Sequence, residues 1–316
     1  MIDVIVTAKR REAEAIYSFE LAAVAPHNLP PFSAGAHIDV QVGDGPVRQY
    51  SLCNQTEQRD RYLIAVLQDP ASRGGSKALH EQVQTGSQLR ISAPRNLFPL
   101  VHDAQYSVLF AAGIGITPIL CMAERLALSG AAFELHYCAH SEPRAAFVQR
   151  LRESPFADRV HLHFSQGEAA KRFDPRPALA QVSSQRHVYV CGPNSFMDAV
   201  LDSARSSGWN EANLHREYFA AAPITEAGGA FEVQLASSGQ CLQIPADRSV
   251  AEVLLEAGID IPLSCEAGIC GTCLTRVLEG EPKHHDHFLT AAEHARNDQF
   301  TPCCSRAKSP RLVLDL

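Results

Sequence analysis

No stretch of this 316-residue chain stays apolar for the roughly 18–20 residues that cross a bilayer, which excludes a spanning helix of ordinary length. The opening segment MIDVIVTAKRREAEAI has no apolar h-region and reads as a β-strand, so no secretory signal is expected and the expected location is the cytoplasm. A basic excess is missing too: 28 Lys and Arg face 35 Asp and Glu, a net charge of −7, which argues against a nucleic-acid partner. Internal repeats and low-complexity tracts are absent, and no general acid–base pair stands out. The acidity is uneven. From Phe231 onward twelve acidic residues face seven basic ones, net −5, so the first 230 residues carry only −2. An acidic C-terminal module favours docking on a basic protein surface.

Cysteine is plentiful, with ten residues, and a cytoplasmic chain does not invest them in a disulfide framework. Cys53, Cys121, Cys138, Cys191 and Cys241 are scattered, whereas Cys265, Cys270, Cys273, Cys303 and Cys304 fall in the last fifth of the chain. The run CEAGICGTC spaces the first three as C-x4-C-x2-C, and Cys303 follows after 29 residues. Four thiolates converging on a small rhomb, in a loop of small residues that can aim N–H groups at sulfur, make the plant-type [2Fe–2S] signature. A structural zinc site usually takes two close pairs instead. Cys303 keeps the expected spacing and is assigned as the fourth ligand, with Cys304 a packed thiol. His284, His285, His287 and His294 nearby are read as a polar loop and solvated helix face.

Ahead of this module the first hundred residues alternate in short strand-like runs at 37–42, 48–52, 62–68 and 88–92, with one helical stretch at 76–83. Such a pattern predicts an antiparallel barrel. From about Gln105 it changes to strands at 107–113, 133–140 and 187–193 alternating with helices, one placing Ile119, Met122, Ala123 and Leu126 on a face and another at 194–206. That order predicts a parallel α/β sheet. The small-residue segment 220–230 reads as a linker. FEVQL and CLQIP follow as a hairpin, then a helix over 249–258. Three domains result: 1–102, 103–221 and 230–316.

Two sites emerge. RQYS puts Arg48 and Tyr50 on one strand face and Gln49 and Ser51 on the other. Arg73-Gly74-Gly75-Ser76 precedes a helix, where backbone N–H groups suit a phosphate and Arg48 can supply counter-charge. In GIGITP, Gly113 and Gly115 allow close backbone approach, Thr117 can N-cap a helix and Pro118 suits its first position. Cys191-Gly192-Pro193 ends a later buried strand.

Together these segments resemble the ferredoxin–NADP reductase superfamily. The order of barrel, nicotinamide domain and C-terminal ferredoxin is similar to the phthalate dioxygenase reductase family, carried by RQYSLCN, GGS, PRNLFPL, GIGITPI, CGP, CEAGICGTC and the tail CCSRAKSPRLVLDL. The resemblance implies a multidomain fold: an antiparallel β-barrel flavin domain, an α/β parallel-sheet nicotinamide domain and an α+β β-grasp ferredoxin domain. It implies FMN, NADH and a [2Fe–2S] cluster as cofactors, and a Rieske-type aromatic ring dioxygenase or O-demethylase as partner. Arg48 would then meet the flavin phosphate and Tyr50 pack on the flavin. Ser51 would hydrogen-bond near N5, beside Gln49 on the same strand face, and Gly74, Gly75 and Ser76 would cradle the phosphate. Gly113, Gly115, Thr117, Gly192 and Pro193 would hold the dinucleotide, Cys191 would lie by the hydride path and Phe219 near the flavin ring. One departure stands out: CAHSEPR (138–144) offers no clear acid for a ribose 2′-hydroxyl, and Arg144 could favour a 2′-phosphate. The alternatives are the same electron chain serving a di-iron hydroxylase or another acceptor such as a separate ferredoxin, and a non-catalytic, zinc-stabilised binding protein.

Overall fold

The computed structural model describes residues 1–24, 28–43, 45–68, 74–166, 173–219 and 229–316. Arg73 and most of the expected linker, 220–228, lie outside the described residues. The chain divides into two compact units, Met1–Glu217 and Tyr218–Leu316.

The first unit begins with an antiparallel sheet whose main path runs Arg48–Ser51, Ala36–Gln41, Gln88–Ile91, Ile2–Ala13, Ile16–Ala23 and Tyr62–Leu67. An antiparallel bridge between Leu52 and Ile64 joins the two ends and closes the barrel. Alternation fills it: Val4 and Val6, Phe19 and Leu21, Ile38 and Val40, Ile64 and Val66, and Leu89 and Ile91 are buried at two-residue spacing in one core. Strand Ile16–Ala23 was not among the runs expected from the sequence.

A five-stranded parallel sheet follows, ordered Val160–Phe164, Ala132–Ala139, Tyr106–Ala112, Arg186–Cys191, Leu214–Glu217. The strand order reverses between Tyr106–Ala112 and Arg186–Cys191, and a crevice opens at such a switch point, beyond the strands' carboxyl ends. Helix Ile116–Leu128 buries every residue of its first two turns as well as the expected Ile119, Met122, Ala123 and Leu126 face. Its outer side packs on the barrel, where the Cys121 thiol donates to the Asn54 carbonyl at 3.2 Å. A second core, apart from the barrel interior, joins Ala13, Ile16, Cys53 and Ala65 of the barrel to the helix and the parallel sheet.

In the second unit, Phe231–Leu235 lies antiparallel to Cys241–Ile244 and parallel to Arg311–Leu314, with Thr275–Glu279 and Gln299–Phe300 beyond. Helix Val250–Glu256 buries Val250, Ala251 and Leu254 in that unit's core, giving the α+β β-grasp. Ser249 starts this helix with a capping box, its hydroxyl accepting from Glu252 N while the Glu252 carboxylate accepts from Ser249 N. Ser249→Ala is therefore expected to cost about 1 kcal/mol, read as a lower urea midpoint for the second unit.

Candidate functional site

The thiol loop shows why small residues flank its cysteines. Gly268 and Gly271 have φ of +67° and +66°, a conformation L side chains rarely adopt. A Cβ at Gly268 would lie 2.4 Å from Cys304 Sγ, and one at Gly271 would lie 2.3 Å from the Phe288 ring. The turns aim N–H groups at sulfur. Ala267 N and Ile269 N each donate to Cys265 Sγ at 3.4 Å, and Thr272 N donates to Cys270 Sγ at the same distance.

Cys273 Sγ and Cys303 Sγ stand 3.3 Å apart, while Cys265 and Cys270 form a second hydrogen-bonded pair. Within each pair one thiol acidifies the other: the bond from Cys265 pulls Cys270 down to about 5, and that from Cys303 lowers Cys273. Four sulfurs gathered as two proton-sharing pairs, with amide donors aimed at them, fit a thiolate-bound iron–sulfur cluster. Cys304 is buried, its sulfur 3.2 Å from Thr301 Oγ1, and a hydrogen bond shared with Cys303 lowers its thiol.

In the first unit, GIGITP and CGP meet at the switch point. A Cβ on Gly115 would lie 2.3 Å from the Cys191 carbonyl oxygen, and one on Gly192 would lie 2.8 Å from Ala112 Cβ. Only glycine lets the two loops approach this closely. Thr117 does not cap the helix as expected. A 3-10 turn, Gly113–Gly115, leads directly into it, so Thr117 sits in the first turn, where its hydroxyl donates to the Ile114 carbonyl at 3.0 Å. Pro118 is consequently the third helical residue, and no side chain caps this terminus.

Strand Arg48–Ser51 pairs with Ala36–Gln41, setting Ser51 opposite His37 and Tyr50 opposite Ile38. Gln49 donates to Asp39 Oδ1 at 3.1 Å. Helix Gly75–Gln82 starts from Gly74 with no side-chain cap, and a Cβ on Gly75 would lie 2.5 Å from Arg48 Cγ. The Arg48 side chain thus lies across the helix start, an arrangement that fits a phosphate.

Glu217 was not foreseen. It ends strand Leu214–Glu217, in register beside Cys191, and its Oε2 accepts from Ser51 Oγ at 3.3 Å. Burial pushes its carboxyl up to about 8, opposed by the Ser51 bond, so it is largely neutral at pH 7. Its partner lies 166 residues away, and no local motif announces it. The structure therefore brings Ser51 and Cys191 to one carboxyl. The Cys191 thiol itself is fully buried, and burial raises it well above the ordinary range. Phe219 is 42% exposed.

The raised carboxyl sets a pH dependence. The folded state holds the Glu217 proton more tightly than the unfolded chain, so no stability is lost below about pH 4.5. The cost grows as pH rises and is complete above about 8. Glu217→Gln keeps the neutral shape. It is expected to match the parent near pH 5 and to exceed it by about 1–2 kcal/mol at pH 9, a figure discounted for partial exposure, in urea titrations at both pH values.

The four histidines are only partly the solvated set expected: His287 is exposed. His284 is largely buried at its side chain, and the carboxyl of Asp286 between them is wholly so. Arg144 donates to Glu14 at 3.2 Å, and Glu142 is held by Arg152.

A family model described as a 2Fe-2S iron–sulfur cluster binding domain matches residues 233–308. The chain is 61% identical over 318 residues to a vanillate O-demethylase oxidoreductase of Pseudomonas putida, covering 100% of each. It is 40% identical over 313 residues to a phthalate dioxygenase reductase of Burkholderia cepacia, covering 98% of this chain and 96% of that one. A solved phthalate dioxygenase reductase structure, described as modular for electron transfer from pyridine nucleotides to [2Fe–2S], superposes with TM-score 0.80 at 39% identity, covering 100% and 98%.

Proposed function

The chain belongs to the phthalate dioxygenase reductase family, and on that premise we propose that it is an NADH-dependent reductase component passing electrons through FMN and a [2Fe–2S] cluster to a Rieske-type aromatic ring dioxygenase or O-demethylase. The observation that carries this is the presence in one chain of close-packed glycine loops at the switch point of a parallel sheet and of four thiols gathered in two pairs. The high identity to a vanillate O-demethylase oxidoreductase supports an O-demethylase partner acting on a methoxylated aromatic acid. No helix of the described residues is long and apolar enough to cross a membrane, which accords with work in the cytoplasm.

When bound, FMN takes two electrons from NADH and releases them singly, and a [2Fe–2S] cluster relays them one at a time. The chain's residues supply position. Arg48 and the helix start behind Gly74, Gly75 and Ser76 hold a phosphate, while Gln49 and Tyr50 line the strand that carries Ser51. Gly113, Gly115, Thr117, Gly192 and Pro193 admit a pyrophosphate to the crevice. Ser51 and the neutral Glu217 carboxyl offer hydrogen bonds without adding negative charge where electrons arrive. Phe219 supplies an aromatic edge next in the chain. Cys265, Cys270, Cys273 and Cys303 hold the cluster. The functional division at 1–102, 103–221 and 230–316 follows these three tasks.

An absorption spectrum of the purified protein before and after NADH tests the reading. Overlapping flavin and iron–sulfur bands that bleach with NADH are expected. A colourless chain, silent to NADH after reconstitution with iron, sulfide and FMN, would sink it.

A further inference from the structure

The segment that follows the thiol loop collects metal-ligand side chains that cluster binding does not use. The Asp286 carboxyl has no exposed surface, and it faces two imidazoles: His284 Nδ1 stands 3.5 Å from Oδ1 and His294 Nε2 stands 3.2 Å from Oδ2. The His284 side chain is only 8% exposed, and its Nε2 has no hydrogen-bond partner among the described residues. Asp286 is satisfied by hydrogen bonds, one of them shared with His294 Nε2. Neither ring nitrogen of the buried His284 side chain has a hydrogen-bond partner among the described residues, and an unsatisfied buried imidazole is costly unless something joins it.

We propose that His284, Asp286 and His294 form a binding site for a divalent cation of the zinc type, with water completing its coordination. Two imidazoles and one carboxylate are a donor set that suits zinc and leaves a fourth position open, whereas calcium and magnesium prefer oxygen alone. Bonds of about 2.0–2.2 Å in a tetrahedron set neighbouring donor atoms roughly 3.3–3.5 Å apart. The two imidazoles approach Asp286 at 3.5 and 3.2 Å, near that edge although on different oxygens, and one donor atom from each residue lies within 4.8 Å of the others.

One movement is required. The His284 and His294 rings are stacked, centroids 4.2 Å apart and planes 19° from parallel, so their lone pairs do not yet converge. Asp286 is the fixed point, because its Oδ2 accepts from Leu289 N at 2.8 Å and its Oδ1 from Ser305 Oγ at 3.4 Å. His294, 29% exposed on the short helix Ala291–Arg296, is the ring placed to swing out of the stack. An ion held here would brace the segment that supports the thiol loop: His287 N donates to the Gly268 carbonyl at 2.9 Å, and Asp286 Cα lies 2.9 Å from where a Gly268 Cβ would be.

The site stands apart from the electron-transfer reading, and the test keeps the two separate. Holoprotein is equilibrated with micromolar zinc chloride and dialysed, and zinc and iron are then counted together. The wild type is expected to retain one zinc per chain more than His294→Ala, with iron equal in both. Comparing the two proteins cancels zinc bound elsewhere, as at Glu134, His136 and His161. Asp286→Asn keeps the side-chain shape and is expected to lose the same single zinc. Equal zinc in wild type and His294→Ala at equal iron overturns the proposal.

Discussion

Cys273→Ala is expected to strip the iron from the chain and yet leave NADH oxidation by an artificial acceptor within about twofold of the parent. Cys273 is 4% exposed and its sulfur stands 3.3 Å from that of Cys303, so the substitution removes one of the four converging thiols. Three thiols do not hold a two-iron rhomb. The residues read as holding flavin and nucleotide, apart from Phe219, all precede Tyr218 and belong to the other compact unit, with its own cores. Ferricyanide can take electrons from a flavin directly, whereas an oxygenase fed by the cluster cannot. Oxygenase-coupled turnover should therefore fall on the order of a thousandfold while dye reduction persists. Cys304→Ala supplies the contrast. Its thiol is held by Thr301 and packed against Gly268, so iron content should stay at the parent level. Loss of iron from Cys304→Ala and retention by Cys303→Ala would reverse the assignment of the fourth ligand.

The thiol loop was legible because its chemistry is local: three cysteines and the glycines between them occupy nine consecutive residues. Strands whose alternation places apolar residues in the barrel, such as Tyr62–Leu67, were legible for a similar reason. Ile16–Ala23 alternates as well, but it follows Ile2–Ala13 across a tight turn at Glu14 and Ala15. The two runs merge into one polar-rich stretch with no Gly or Pro to mark the break. Val160–Phe164 hid because its alternate positions are histidines, which carry little hydrophobic signal even though His163 bonds His136 at 3.1 Å. Glu217 and the His284–Asp286–His294 group share a different obstacle. Each owes its character to burial by residues distant in sequence, and a charged side chain read one position at a time looks solvated. The Thr117 cap was misread because Gly113–Gly115 tightens into a 3-10 turn, which moves the helix start upstream of the threonine.

Gly115→Ala should be among the most damaging single-methyl changes in the first unit. The added carbon would sit 2.3 Å from the Cys191 oxygen, 2.5 Å from its carbonyl carbon and 2.7 Å from Gly192 N. All three are backbone atoms, so no side chain can rotate aside, and relief requires the two loops of the switch point to part. Overpacking of this kind costs about 3 kcal/mol, the upper end of its usual range. The backbone angle is not the cause, because Gly115 has φ −61°, which any residue adopts. Gly113 is the reverse case. Its φ is +55° with nothing within 4 Å of an added Cβ, so Gly113→Ala should cost only the roughly 1–2 kcal/mol of a left-handed L residue. Two neighbouring glycines thus separate contact from conformation. If the crevice between these loops receives the pyrophosphate, parting them also costs nucleotide affinity. A shift of about 1.4 kcal/mol in that contact raises the KM for NADH about tenfold, and Gly115→Ala should exceed this while Gly113→Ala falls short of it. Steady-state dye reduction against NADH concentration measures both. An unchanged KM in a folded Gly115→Ala protein would place the nucleotide elsewhere than the switch point.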